Sequence, residues 1–140
     1  MSVSKAIRVL YFTSALFGLF GLLSCSHSEI VGDDFIISVH ELKEIMESDT
    51  SCVIIDFRTR RELKSGIIQE AKWVDFNDPN FVSKVADYNG KEIYLYCHSW
   101  RRSEVAAKEL LGKGYEDIYS VLDGIKVWKR NDYVTEKPFK

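Results

Sequence analysis

Short apolar runs alternate with amphipathic stretches along most of this chain. The run CVIIDF is continuously apolar up to its acidic residue, which is typical of a strand buried on both faces of a parallel sheet. Strands alternating with helices predict βαβ units, so we expect an α/β fold with a mainly parallel sheet of about five strands and helices on both faces. The predicted strands are 35–39, 52–57, 71–74, 92–96 and 117–121, and the predicted helices are 41–47, 60–64, one beginning with Asp78 as N-cap and Pro79 as first residue, 103–111 and 124–129.

The first 34 residues have a different pattern. Lys5 and Arg8 precede an uncharged, mainly apolar run over 9–23. This run fits the core of a signal peptide better than a membrane-spanning helix, which needs about 20 apolar residues. It ends in LLSC at Cys25, which resembles the lipobox of bacterial lipoproteins. The alternative is an uncleaved signal anchor, which would place the domain on the same side of the membrane.

The lipobox resemblance implies a division of the chain and a location. Residues 1–24 would be a removed signal peptide, Cys25 would carry the lipid, and 25–34 would be a tether. The domain is then expected in the bacterial cell envelope, anchored by lipid on the periplasmic side. Ser26, where an aspartate would retain the protein at the inner membrane, favours the outer membrane.

Composition limits the remaining possibilities. The net charge of −2 gives no basic excess, so we expect no nucleic-acid partner. The length suits one domain, which we place at 35–133 with a tail at 134–140. Three histidines without ligand spacing predict no metal site. We expect a monomer.

One loop combines a thiol with two guanidinium groups. Cys97 directly follows a predicted strand and precedes a predicted helix, and ligands of parallel sheets lie beyond the carboxyl ends of the strands. Turn amides and the positive end of a helix attract anions. Together with His98, Arg101 and Arg102 they favour a nucleophilic thiolate that faces an anionic substrate. The alternative is that Cys97 is a small buried hydrophobic residue.

Three segments in order resemble a known family. The loop CHSWRRS after EIYLY, the segment VIIDFRTRRELKSGIIQEAKWV and the segment GYEDIYSVLDGIKVW are similar to the active-site loop and flanking motifs of single-domain rhodaneses. The resemblance covers about 35–133. It implies the rhodanese-like α/β fold and a sulfurtransferase that needs no cofactor.

The resemblance also implies roles for particular residues. Cys97 would be the catalytic nucleophile, carrying sulfur as a persulfide from a small anionic donor such as thiosulfate to a thiol or cyanide acceptor. Arg102 would close the loop, and main-chain amides of 98–102 would cradle the persulfide. Arg58 is a candidate for attracting an anion at the site entrance, while Asp56 is expected to organise loops by hydrogen bonds. The candidate substrate-binding residues are His98, Ser99, Trp100, Arg101, Arg102 and Arg58.

The sequence departs from the family pattern at three places. Trp100 stands where the family usually has glycine, Ile67 where it has histidine, and Asp123 where it has the first glycine of a pair. Trp100 either changes the loop path, stands as a wall over the thiol or packs on the surface. Trp73 and Trp128 are expected in the core.

Three rival functions remain. Related phosphatases have five residues between cysteine and arginine, whereas Cys97 and Arg102 have four between them, so phosphatase chemistry is disfavoured. A non-catalytic binding or sulfide-sensing module and a thiol-redox module in the cell envelope stay open. Cys52 is predicted to be a buried structural thiol, about 13 Å along the sheet from Cys97.

Overall fold

The computed structural model of the chain describes residues 33–138. The predicted signal peptide, Cys25 and most of the predicted tether therefore lie outside the described residues. Over 33–138, every helix is too short or too polar to cross a membrane.

The described residues form seven strands and five α-helices. The strands are β1 (Ile36–Ile37), β2 (Val53–Asp56), β3 (Ile67–Ile68), β4 (Lys72–Trp73), β5 (Ile93–Tyr96), β6 (Ile118–Val121) and β7 (Thr135–Glu136). The helices are α1 (Val39–Ser48), α2 (Arg60–Leu63), α3 (Phe81–Val85), α4 (Arg101–Gly112) and α5 (Gly124–Arg130). Short 3-10 turns lie at Asp33–Phe35 and Ala86–Tyr88.

Five strands form one sheet in the order β1-β6-β5-β2-β4, and every pair in it is parallel. All residues of β2 and β5 are buried, as a central strand covered on both faces requires. The predicted α/β class, with a parallel sheet of about five strands, is confirmed.

Two apolar layers cover the two faces of this sheet. Successive side chains of a strand point to opposite faces, and Ile55 and Leu95 pack in one layer while Ile54 and Tyr94 pack in the other. The first layer includes the buried apolar side chains of α3 and α4, and the second includes those of α1 and α5. Helices thus lie on both faces, and the loops at the carboxyl ends of the strands are held from both sides.

The termini of several elements differ from the sequence predictions. The predicted tail contains β7, which pairs antiparallel with β3 to form a separate small sheet. Helix α3 begins at Phe81 rather than Pro79, because the Asp78 carboxylate accepts a hydrogen bond from Asn80 N–H at 2.8 Å and closes a turn there. Trp73 is only partly buried rather than in the core as predicted, and its indole N–H donates to Arg58 O at 2.8 Å.

Candidate active site

Cys97 comes directly after β5, at the carboxyl edge of the main sheet. Its residue surface is 1% exposed, and it belongs to the apolar layer beneath α3 and α4. The pairing of β2 with β5 extends to this point, because Phe57 N–H, directly after β2, donates to Tyr96 O at 2.8 Å. The thiol therefore lies where a parallel sheet presents its ligand site.

The backbone of Cys97 is fixed by the turn that begins α5. Cys97 O accepts a hydrogen bond from Ile125 N–H at 3.0 Å, and His98 O accepts one from Lys126 N–H at 3.1 Å. Gly124 lies against this carbonyl with φ of +53°, and a Cβ at Gly124 would be 2.4 Å from Cys97 O. Only glycine permits this approach, so Gly124 is required by the position of the loop.

Helix α4 begins at Arg101, two residues earlier than the sequence predicted. The first intrahelical hydrogen bond is donated by Glu104 N–H to Trp100 O at 2.9 Å. The N–H groups of Trp100, Arg101 and Arg102 precede that bond and belong to the helix end whose donors lack intrahelical partners. These donors and the positive end of a twelve-residue helix adjoin the loop that carries Cys97, an environment that stabilises negative charge.

Trp100 has a backbone conformation that favours glycine. Its φ is +148°, and a non-glycine residue held in a sparsely populated region costs about 1–3 kcal/mol. Ser103 Oγ donates to Trp100 O at 2.7 Å and in turn accepts from Ser120 Oγ at 3.1 Å, so the strained peptide is anchored to β6. The loop backbone therefore has, at Trp100, a conformation that glycine adopts more easily. The Trp100 residue is 36% exposed.

Arg102 is held by a residue that the sequence reasoning did not single out. Its two terminal nitrogens donate to the two carboxylate oxygens of Glu62 at 2.8 and 2.7 Å. Arg102 holds the pKa of Glu62 far below its usual range, and hydrogen bonds from Thr59 act in the same direction. Glu62 in turn raises the pKa of Arg102, and Cys97 adds to that effect.

Arg58 does not face the site entrance, which corrects the sequence prediction. The residue is 1% exposed, and its guanidinium forms an ion pair with Asp56 at 2.7 Å. Its remaining donors go to Glu62 O at 3.2 Å, to Ser65 Oγ at 3.4 Å and to Gly66 O at 2.7 Å. The N–H groups of the guanidinium thus all have partners inside the protein. Arg58 therefore organises the segment after β2 and has no donor left for a substrate.

Asp56 has the structural role that the sequence predicted. Besides Arg58, it accepts a hydrogen bond from Tyr96 Oη at 2.6 Å, and Tyr96 Oη accepts one from Ile68 N–H at 3.0 Å. Burial raises the pKa of Tyr96, and the Asp56 charge raises it further, so the phenol stays a donor. The buried network joins β2, β5 and β3, and it includes Tyr96, the residue that precedes Cys97.

Comparison with known proteins agrees with this architecture. A family model described as a rhodanese-like domain matches residues 38–131, which are 94 of the 140 residues. The chain belongs to the rhodanese-like family. The crystal structure of a rhodanese-like domain protein from Staphylococcus aureus has a TM-score of 0.60 and 26% identity, covering 66% of this chain and 89% of that chain. The predicted family resemblance is confirmed.

Several relatives of this rhodanese-like chain carry names from sulfur chemistry. YrkF of Bacillus subtilis, named as a sulfur carrier, is 30% identical over 92 residues, which are 66% of this chain and 49% of that protein. The thiosulfate sulfurtransferase GlpE of Pseudomonas savastanoi pv. phaseolicola is 29% identical over 82 residues, which are 58% of this chain and 76% of that enzyme. The chain spans 24% to 49% of the length of the larger relatives that it matches first.

The remaining predicted site residues of this rhodanese-like domain lie on one loop, and two positions that depart from the family pattern lie outside it. His98, Ser99 and Arg101 are exposed and lie with Cys97 on the loop or at the first position of α4. Ile67 and Asp123 lie outside that loop: Ile67 is buried in β3, and Asp123 adopts a left-handed φ of +64° before Gly124. Asp123 therefore takes a backbone conformation that the family supplies with glycine, and its short polar side chain tolerates it.

Cys52 lies at the opposite end of the sheet from Cys97. It precedes β2, whereas Cys97 follows β5, and these strands are parallel with Val53 opposite Ile93. About four residues of strand separate the thiols by roughly 13 Å, beyond the limit of about 7 Å between Cα atoms in a disulfide. The residue is partly buried rather than buried as predicted. Burial raises the pKa of the Cys52 thiol, as does the nearby Asp49 carboxylate.

Proposed function

We propose that this chain is a sulfurtransferase that carries sulfane sulfur on Cys97. The observation that carries the proposal is the setting of this thiol. The Cys97 carbonyl is fixed by α5, and the loop leads directly into the start of α4, whose first N–H groups lack intrahelical partners. In the first turn of that helix, Arg102 is held in a bidentate pair with Glu62. Relatives named as sulfur carrier and thiosulfate sulfurtransferase support the same chemistry.

The reaction has two displacements at sulfur. With thiosulfate as donor, the Cys97 thiolate attacks the outer sulfur, the sulfur–sulfur bond of thiosulfate breaks, and sulfite leaves with the bonding electron pair. Cys97 then carries a persulfide, whose terminal sulfur is anionic. A thiolate or cyanide attacks that terminal sulfur, the persulfide bond breaks, and the Cys97 thiolate is restored. Amides at a helix start and a guanidinium stabilise the negative charge in both steps.

The burial of Cys97 affects how the donor arrives. With 1% of the residue exposed, the sulfur is shielded from solvent. A donor of the size of thiosulfate therefore reaches the Cys97 sulfur only after the surrounding side chains move aside. The exposed side chains of His98, Ser99 and Trp100 lie on the loop that must rearrange. Shielding also protects a persulfide from solvent reductants between the two steps.

Steady-state formation of thiocyanate from thiosulfate and cyanide tests this function. The full chain is expected to show double-displacement kinetics, because sulfite leaves before cyanide reacts. Cys97→Ser should abolish turnover, and Cys52→Ser, the matched control at the other end of the sheet, should retain it. Turnover that survives in Cys97→Ser would refute the assignment of the nucleophile.

We further propose that the protein acts in the bacterial cell envelope as a lipoprotein. The basic start, the apolar run and the LLSC sequence at Cys25 support this location. Expression with a radiolabelled fatty acid should label the wild-type chain in the membrane fraction. Cys25→Ser should lose the label, and a labelled Cys25→Ser chain would contradict the proposal.

A further inference from the structure

Exposed large hydrophobic residues are concentrated around the Cys97 loop. Among the described residues, Trp100, Val105 and Leu122 adjoin this loop or the first turns of α4, and Val134 lies apart beside β7. Single exposed hydrophobic residues need no explanation, but a group of them beside one site indicates a contact surface. We call Trp100, Arg101, Val105, Leu122 and Lys126 the rim.

Leu122 is placed by the sheet itself. Leu95 of β5 lies opposite Ser120 of β6, so two residues further on Leu122 is level with Cys97. Adjacent strands are about 4.8 Å apart, which brings the Leu122 backbone within one strand spacing of the nucleophile. Leu122 is 38% exposed at this position.

The other members of the rim follow from helix geometry and from the turn before α5. Val105 comes four residues after Arg101 on α4, so both lie on the same exposed face of that helix. Lys126 is exposed on α5, and its N–H donates to His98 O at 3.1 Å. The rim therefore consists of residues from the Cys97 loop, the first turns of α4, the residue after β6 and the start of α5, which are the segments that meet at Cys97.

The rim differs in charge from the chain as a whole. Arg101 and Lys126 are exposed cations, and Asp123 is the exposed carboxylate between Leu122 and α5. The neighbouring ion pairs Arg102–Glu62 and Lys108–Glu104 add no net charge to the rim. Two cations against one carboxylate give a positive local balance on a chain whose net charge is −2. Such a surface attracts acidic partners.

We propose that the rim docks a protein acceptor whose thiol is flanked by acidic and apolar side chains. The inference rests on the proposed sulfur transfer and names the acceptor class. Cyanide has no apolar surface to bury against Val105 or Leu122, whereas tryptophan and arginine are the residues on which protein interfaces concentrate their binding energy. Opposite charges on the two partners would raise the association rate and would orient the partners as they meet.

Sulfur delivery from the preloaded full chain tests the docking surface. The chain is loaded with thiosulfate, and its single-turnover discharge is followed with cyanide and with two synthetic peptides. Each peptide has one central cysteine and two leucines, and the flanking charges are two glutamates in one and two lysines in the other. The glutamate peptide is expected to discharge the wild-type chain about tenfold faster than the lysine peptide, since steering by complementary charge changes encounter rates by 10-fold or more.

Four variants identify the surface. Leu122→Ser and Val105→Ser should slow discharge to the glutamate peptide severalfold and leave discharge to cyanide unchanged. Lys126→Glu should remove most of the preference between the two peptides. Val134→Ser, an exposed residue away from the rim, is the matched control and should change neither rate.

The outcomes separate the two proposals. If the chain does not load with sulfur, the proposed function fails and the docking surface fails with it. If the chain loads and discharges to cyanide, but the peptides are not distinguished and the rim variants match Val134→Ser, only the docking surface is overturned. Parallel losses with cyanide and peptide in Leu122→Ser would also overturn it, because they would show a general disturbance of the site.

Discussion

Replacing Gly124 by alanine tests how the turn before α5 positions Cys97. The new Cβ would lie 2.4 Å from Cys97 O, about 1 Å inside the 3.3–3.6 Å at which carbon and carbonyl oxygen usually meet. The loop must move away, which breaks the hydrogen bonds that Ile125 and Lys126 donate to the loop carbonyls. Two such bonds contribute about 1–3 kcal/mol to the free energy of unfolding.

The left-handed backbone of Gly124 adds a second cost. A residue with a Cβ at φ of +53° is disfavoured by about 1–2 kcal/mol. Gly124→Ala should therefore lower the free energy of unfolding by about 2–5 kcal/mol, a large part of the 5–15 kcal/mol typical of a domain. Sulfur transfer should fall by about 100-fold, the usual consequence of a 1 Å misplacement of a reacting group.

Gly90→Ala is the matched control for this experiment. Gly90 has φ of +83°, but a Cβ there would meet no heavy atom within 4 Å. It should lose only the backbone contribution of about 1–2 kcal/mol and keep full sulfur transfer. Urea unfolding and thiocyanate formation measure the two quantities. Equal destabilisation by both variants, or normal transfer in Gly124→Ala, would refute the argument that Gly124 holds Cys97 in place.

Three further predictions follow from the contacts around the site. Trp100→Gly should be about 1 kcal/mol more stable to urea than Trp100→Ala, because relief of strain outweighs the entropy of glycine in the unfolded chain; a less stable glycine variant would contradict the strain at this φ. Glu62→Gln should slow sulfur transfer by loosening Arg102, and should unfold more easily at pH 7. The pKa of Glu62 is depressed in the folded state, so the Glu62–Arg102 pair contributes fully to stability above about pH 4.3, the pKa of an unfolded glutamate. Urea unfolding should show the stability difference between wild type and Glu62→Gln shrinking as the pH falls below that value. A stability difference that stays constant down to pH 2 would contradict the pairing. Tyr96→Phe should lower the free energy of unfolding by about 1–3 kcal/mol, because the buried Ile68 N–H loses its partner and Asp56 loses one of its hydrogen bonds; an unchanged urea midpoint would refute this role.

The strands with long apolar runs could be predicted from the sequence, whereas the small sheet of β3 and β7 could not. Strands β2 and β5 carry four consecutive buried residues each, so local pattern alone identifies them. Strands β3 and β7 have two residues each and exist because Ile68 pairs with Thr135. That pairing joins distant segments and leaves no periodic signal in either.

Those parts of the site could be predicted whose position in the fold follows from the order of elements along the chain. A strand, a cysteine and a helix in succession place Cys97 at the carboxyl edge of the sheet. Arg58 was misplaced because its burial depends on carbonyl groups of Glu62 and Gly66, which only the folded segment brings around it. Glu62 was missed because its partner Arg102 is 40 residues away. Its one local signal was the capping pattern from Thr59 to Glu62, which reads as a helix start.

Intact-protein mass spectrometry of the full chain after incubation with thiosulfate tests the central claim most directly. The account predicts a gain of one sulfur atom in the wild-type chain and in Cys52→Ser. The gain should be absent in Cys97→Ser and should disappear when cyanide is added. A gain that persists in Cys97→Ser would contradict the account, as would the absence of any gain with thiosulfate, polysulfide and mercaptopyruvate.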